Sequence, residues 1–113
     1  MHELGIAQSI VEIAEENARK QGAKKVLSVI VEVGALSGVM AESLEFCFEA
    51  CTRETLLDGS LLKIERVPAR ARCRSCHQEY DLTNFFDNCP ACNSVGNDLL
   101  SGEELRIKEM EID

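Results

Sequence analysis

Residues 73–92 read CRSCHQEYDLTNFFDNCPAC: two C-x-x-C pairs, Cys73 with Cys76 and Cys89 with Cys92, twelve residues apart. Each spacing lets a tight turn aim two thiolates at one ion while turn N–H groups solvate the sulfurs. Two such turns complete a tetrahedron, and four thiolates with no open position describe a structural zinc site. Zinc binding worth about 10–16 kcal/mol would let a lobe of this size fold. Iron in a rubredoxin-like carrier uses the same ligands, and a pair of redox disulfides uses the same spacing. Redox pairs normally open a helix after a buried strand, and neither pair here does. His77, directly after Cys76, reads as an exposed histidine, with ligand exchange as the alternative.

The segment around these pairs, residues 70–101, has few apolar residues and many turn formers, too little to build a core unaided. Its flanks differ. Residues 3–21 place Leu4, Ala7, Val11, Ala14 and Ala18 at helical spacing, widened by Ile6, Ile10 and Ile13, and Gly22 sits where a helix ends. Lys25 to Val33 is a β-branched strand, with Leu27, Val29, Val31 and Val33 on one face. Met40, Leu44, Cys47, Phe48 and Cys51 mark a second helix over 40–54, and Leu61 to Val67 a second strand closed by Pro68. After Ser101-Gly102, residues 103–112 form a last strand. Its apolar residues change parity between Ile107 and Met110, which predicts a bulge near Lys108. A strand that late needs the first two as partners. The expected fold is α+β: two helices on a small three-stranded mixed sheet, with a zinc-ribbon-like lobe inserted before the last strand. The expected domains are 1–69 plus 102–113, and 70–101.

The 113 residues carry a net charge of −8, which disfavours a phosphate backbone or an anionic membrane as partner. No run is long and apolar enough to span a bilayer. The start, MHELGIAQSI, reads as lacking a secretory signal, so six cysteines point to metal or thiol chemistry in a reducing cytoplasm. Arg66, Arg70, Arg72 and Arg74 could form a phosphate-binding stripe, making the chain a zinc-ribbon interaction or nucleic-acid-binding module. Yet no aromatics interleave them, and arginines also offset the negative charge of a four-thiolate zinc site. Cys47 and Cys51, at i,i+4 on the apolar helix face, read as small buried hydrophobes. No Ser/His/Asp set, Gly-rich phosphate loop or paired-carboxylate cleft is present, so no enzyme is expected.

Met1-His2-Glu3 remains unexplained by a zinc ribbon. An α-amine and the deprotonated His2 amide close a five-membered chelate ring, and that amide with the His2 imidazole closes a six-membered one. Three coplanar nitrogens suit square-planar Ni²⁺ or Cu²⁺ better than Zn²⁺. A fourth position is left for the Glu3 carboxylate or another donor. A cation at a helix N-terminus opposes the helix dipole, and the ionised amide and Glu3 offset this.

Taken together, Met1-His2-Glu3-Leu4, Gly34-Ala35-Leu36-Ser37, Glu45-Phe46-Cys47-Phe48-Glu49, the two C-x-x-C pairs and Ile107-Lys108-Glu109-Met110-Glu111-Ile112 resemble the HypA/HybF family of nickel-incorporation proteins, over essentially the whole chain. The resemblance implies a cytoplasmic metallochaperone for [NiFe]-hydrogenase maturation. It implies transient Ni²⁺ bound through His2, with Met1 and Glu3 contributing, and structural Zn²⁺ on Cys73, Cys76, Cys89 and Cys92. Implied partners are a HypB-type GTPase, the hydrogenase large-subunit precursor and, in some organisms, urease maturation factors. Neither nucleic acid nor membrane is expected as a partner, and the chain is expected to be a monomer or homodimer. Two positions depart from the family pattern. Asn93 follows Cys92 where relatives often carry histidine, and Met40 stands where some carry an acid. Glu42 is then the nearest carboxylate on the second helix.

Overall fold

A computed structural model describes residues 2–113. The elements are α1 (Glu3–Lys20), β1 (Val26–Gly34), α2 (Ala41–Thr52), β2 (Leu61–Val67), β3 (Arg70–Cys73), β4 (Glu79–Asp81), β5 (Asn97–Ser101) and β6 (Leu105–Ile112). They form two three-stranded sheets, ordered β2-β1-β6 and β4-β3-β5. Two compact units result, one of Met1–Glu32, Val39–Glu65 and Arg106–Asp113, the other of Val33–Gly38 and Arg66–Leu105. No helix among the described residues is long and apolar enough to cross a membrane.

In the first unit, α1 buries Ala7, Ile10, Val11, Ala14 and Ala18. Its outer face carries the i,i+4 pairs Glu15–Arg19 and Glu16–Lys20, both at 3.4 Å. Leu4 and Ile13 share the helical spacing yet stay half-exposed, because they lie at the margins of a narrower stripe. The helix ends as its glycine predicts. Gly22 takes φ +71°, Gly22 N–H donates to the Arg19 carbonyl, and Ala23 N–H donates to that of Ala18. Val29 and Val31 of β1 and Leu44 and Phe48 of α2 are likewise buried. At the start of β1 the expected alternation is reversed: Val26 is buried and Leu27 is 39 % exposed.

The three-stranded sheet is mixed, as expected. The C-terminal ends of β1 and β2 meet where Ala35 N–H donates to the Val67 carbonyl, so α2 is the crossover that parallel strands require. β6 returns antiparallel, with Asp113 N–H donating to the Lys25 carbonyl at the start of β1. In the same register Arg106 meets Glu32 at 2.6 Å, so no bulge near Lys108 is needed. The parity change in β6 has another cause. Met110 lies with Ser28, Ile30 and Lys63 along a hollow on the sheet face that also carries the Glu32–Arg106 and Glu65–Lys108 pairs. Met110 and Ile107 thus sit on opposite faces of one strand.

The second unit pairs β3 with β4 and β5, both antiparallel. Its small core is Ala69, Ala71, Cys73, Tyr80, Leu82 and Cys89, with Leu36 and Leu99 packed against it. Leu36 belongs to Gly34-Ala35-Leu36-Ser37, which closes this unit by backbone pairing. Gly34 N–H donates to the Glu104 carbonyl and Leu36 N–H to the Gly102 carbonyl, both at 2.7 Å. The approach is so close that a Cβ on Gly34 would collide with the Gly102 carbonyl.

Candidate metal sites

The two C-x-x-C pairs fold into equivalent turns. Cys73 N–H donates to the Gln78 carbonyl and His77 N–H to the Cys73 carbonyl; likewise Cys89 N–H donates to Ser94 and Asn93 N–H to Cys89. The residue after the second cysteine is left-handed in both turns, with φ 65° at His77 and 62° at Asn93. Asparagine tolerates that conformation better than most side chains, which gives Asn93 a backbone role. In each pair the first cysteine is buried and the second exposed.

The four Sγ atoms all lie within 4.8 Å of one another. Cys73 Sγ is 3.5 Å from Cys92 Sγ, and Cys76 Sγ is 3.7 Å from Cys89 Sγ. A zinc ion bound at the usual Zn–S distance of about 2.3 Å has S···S edges of about 3.8 Å, so the cluster fits a tetrahedral ion. Ser75 N–H and Cys76 N–H both point at Cys73 Sγ, at 3.4 and 3.5 Å. These are the donors that stabilise a thiolate. The cluster's protons are unevenly held. Hydrogen bonds from Ser94, then the neighbouring Cys73, bring Cys92 down to about 6. At Cys76 a backbone hydrogen bond from Gln78 favours the thiolate, but burial and the bonds to Cys89, Cys92 and Cys73 outweigh it and push the group up to about 12. Four thiolates this close therefore call for a divalent cation to ionise together.

His77 is exposed and is not gathered with these sulfurs. Three of the four arginines of the stripe are paired with acids, Arg66 being the exception among the described residues. Arg70 lies 2.8 Å from Asp81, Arg72 3.2 Å from Glu79 and Arg74 2.9 Å from Asp98, each on an adjoining strand. That pattern is a cross-strand charge ladder rather than a free phosphate-binding surface. Cys47 and Cys51 are half-buried rather than buried, because α2 turns that edge partly outward. Burial first, and then Cys47, pushes the Cys51 thiol up.

At the other end of the chain, His2 holds the N-cap position of α1, where its carbonyl accepts from Ile6 N–H. Its side chain is exposed and makes no capping hydrogen bond. Met1 lies outside the described residues. The Glu3 carboxylate reaches across to α2 and accepts the Met40 backbone N–H at 3.2 Å. That hydrogen bond, followed by Glu3's own N–H, lowers the Glu3 pKa. The donor is main-chain and does not depend on the side chain at position 40. This link spans 37 residues, and no local pattern announces it. Among the described residues His2, Glu3 and Glu42 are not assembled into a metal-binding group; the four cysteines are.

A family model described as hydrogenase/urease nickel incorporation, metallochaperone, hypA, matches residues 1–112. The hydrogenase maturation factor HypA of Geotalea uraniireducens is 56 % identical over 113 residues, covering all of both chains. That of Geobacter metallireducens is 54 % identical with the same coverage. The solution structure of the Ni metallochaperone HypA from Helicobacter pylori matches with a TM-score of 0.71 at 25 % identity, over 99 % of this chain and 97 % of that one. A second HypA solution structure gives a TM-score of 0.74 at 25 % identity, over 99 % and 96 %.

Proposed function

The chain belongs to the HypA family of hydrogenase/urease nickel-incorporation metallochaperones, and from that premise we propose that it carries one Ni²⁺ at its N-terminal segment. The observation that carries this reading is His2 itself. Its imidazole stands exposed at the head of α1 without a capping bond, beside a carboxylate that α2 holds in place. The proposed ligands are the Met1 amine, the His2 amide and the His2 imidazole, with Glu3 contributing or supporting. Such a nitrogen set favours Ni²⁺ over Zn²⁺, and an exposed terminal site suits an ion that must be handed on.

Zinc on Cys73, Cys76, Cys89 and Cys92 is the resident metal in this reading, holding the second unit folded without exchanging its ligands. The cargo passes, in the cytoplasm, with a HypB-type GTPase to the [NiFe]-hydrogenase large-subunit precursor, or to urease maturation factors where these exist. The chain itself turns over no substrate.

Calorimetric titration of Ni²⁺ into zinc-loaded, untagged protein tests the site, beside His2→Ala and a form extended by one residue before Met1. About one nickel per native chain is expected, lost in both altered forms while zinc is retained. Equal binding by the extended form would remove the amine from the ligand set. Absence of nickel binding by the native chain would overturn the proposal.

A further inference from the structure

The C-terminal half of α2 and the turn into β2 enclose a hollow of about 440 Å³. Phe48, 3 % exposed, forms its apolar floor, and Leu61, 64 % exposed, its lip. Glu45, Glu49 and Asp58 stand around it; Arg53 belongs to the lining, and Lys25 Nζ comes within 4.0 Å of a Cβ position on Gly59 at its edge, leaving an excess of acid.

The electrostatics here differ from those of the cross-strand pairs. On the sheets, Glu32, Glu65, Glu79, Asp81 and Asp98 each face an arginine or lysine. Glu45 and Glu49 are one helical turn apart with like charge, an arrangement that disfavours the helix until a cation comes between them. Neither has an ion-pair partner among the described residues. Ser60 Oγ also borders the hollow and is the buried side-chain polar atom that lacks a hydrogen-bond partner among the described residues. Asp58 Oδ2 accepts the Glu54 N–H at 3.3 Å, but Asp58, like the two glutamates, has no ion-pair partner among the described residues. An exposed leucine over an apolar floor, edged by carboxylates that meet no cation at ion-pair distance, is complementary to one kind of occupant.

We propose that this hollow is a docking site for a partner-protein segment that presents a large apolar residue flanked by lysine or arginine. The apolar residue covers Leu61 and Phe48, and the flanking cations lie between Glu45, Glu49 and Asp58. Rim charges of this kind set approach and specificity, while the apolar anchor supplies most of the affinity. None of its lining residues belongs to the zinc cluster or to the N-terminal segment, and it requires neither metal.

A displayed library of random 12-residue peptides, selected on the zinc-loaded full chain, tests this without presupposing the ligand. Recovered peptides are then titrated into ¹⁵N-labelled protein. The expected winners carry Lys or Arg beside Leu, Ile, Met or Phe, and move the amide signals of Phe48, Thr52, Ser60 and Leu61. Their affinity falls with added salt. The triple change Glu45→Gln, Glu49→Gln and Asp58→Asn weakens binding about tenfold, from three exposed ion pairs lost. Leu61→Ala weakens it separately. All four side chains are at the surface of the hollow, and zinc content with the far-ultraviolet helix signal confirms that the variants are folded. Recovery of no peptide, of acidic or uncharged ones, of peptides whose signals map elsewhere, or binding by the triple variant within twofold of native overturns the proposal.

Discussion

Replacing Gly34 by alanine adds one methyl group at the point where the chain enters the second unit. The new Cβ would lie far inside van der Waals contact with the Gly102 carbonyl and 2.6 Å from Glu103 N, backbone atoms that no side-chain rotation can move. The two segments must part by about 1 Å or more to restore ordinary contact distances. Parting strains or breaks the bonds from Gly34 N–H to Glu104 and from Leu36 N–H to Gly102. Overpacking of this kind costs about 1–3 kcal/mol, and each lost hydrogen bond about 1 kcal/mol net, so a loss of about 3 kcal/mol is expected. For a chain of this size that corresponds to a fall of about 10–15 °C in Tm. Gly5→Ala supplies the internal control. Nothing lies within 4 Å of a Cβ at Gly5, which sits in α1, so alanine there should raise stability by about 0.5–1 kcal/mol. Urea unfolding of zinc-saturated native and variant proteins, followed by circular dichroism, measures both. A Gly34→Ala variant within about 0.5 kcal/mol of native would refute the close-approach argument.

Other perturbations separate the local devices. Cys89→Ser should abolish stoichiometric zinc binding and collapse the amide dispersion of β3–β5 in the NMR spectrum. The helical signal of α1 should survive, since its stripe contributes no residue to the Cys73–Cys89 core. Asn93→Gly should leave zinc affinity unchanged, whereas Asn93→Val, forced to φ 62°, should destabilise the holoprotein by about 1–3 kcal/mol in the same urea assay. Asp87 accepts from the Thr83 hydroxyl, the Thr83 N–H and the Asn84 N–H, and these bonds, the hydroxyl first, hold its pKa below the ordinary value. A lowered folded pKa means stability that is present above the unfolded value and lost as pH falls through the folded one. The Thr83 and Asn84 amide signals should therefore shift with a midpoint below about 3.9, and a midpoint above it would contradict the turn geometry.

Much of this protein is local, and what is local could be read directly. The α1 stripe, the Gly22 stop, the β-branched run of β1 and the spacing of the four cysteines each depend on neighbours within a few residues. The expected helices, mixed sheet and inserted four-cysteine lobe follow from them. Where the reading failed, it assumed one buried face for every apolar residue. Leu4, Ile13 and Leu27 are more exposed than their spacing predicts, and Met110 needed no bulge because the sheet has a second, partly covered face.

Other features were decided by tertiary structure alone. Periodicity and composition show that Gly34-Ala35-Leu36-Ser37 follows a strand, but not that Gly34 and Leu36 bond Glu104 and Gly102 across nearly seventy residues. The Glu3 bond to Met40, the pairing of each arginine on β3 and its turn with an acid of a neighbouring strand, and the gathering of three carboxylates around Phe48 and Leu61 are of the same kind. A side chain's charge or a glycine's missing Cβ is written in the chain. Which atom it faces is set only when distant segments pack, because hydrogen bonds and ion pairs act over a few ångströms of space rather than over positions in sequence.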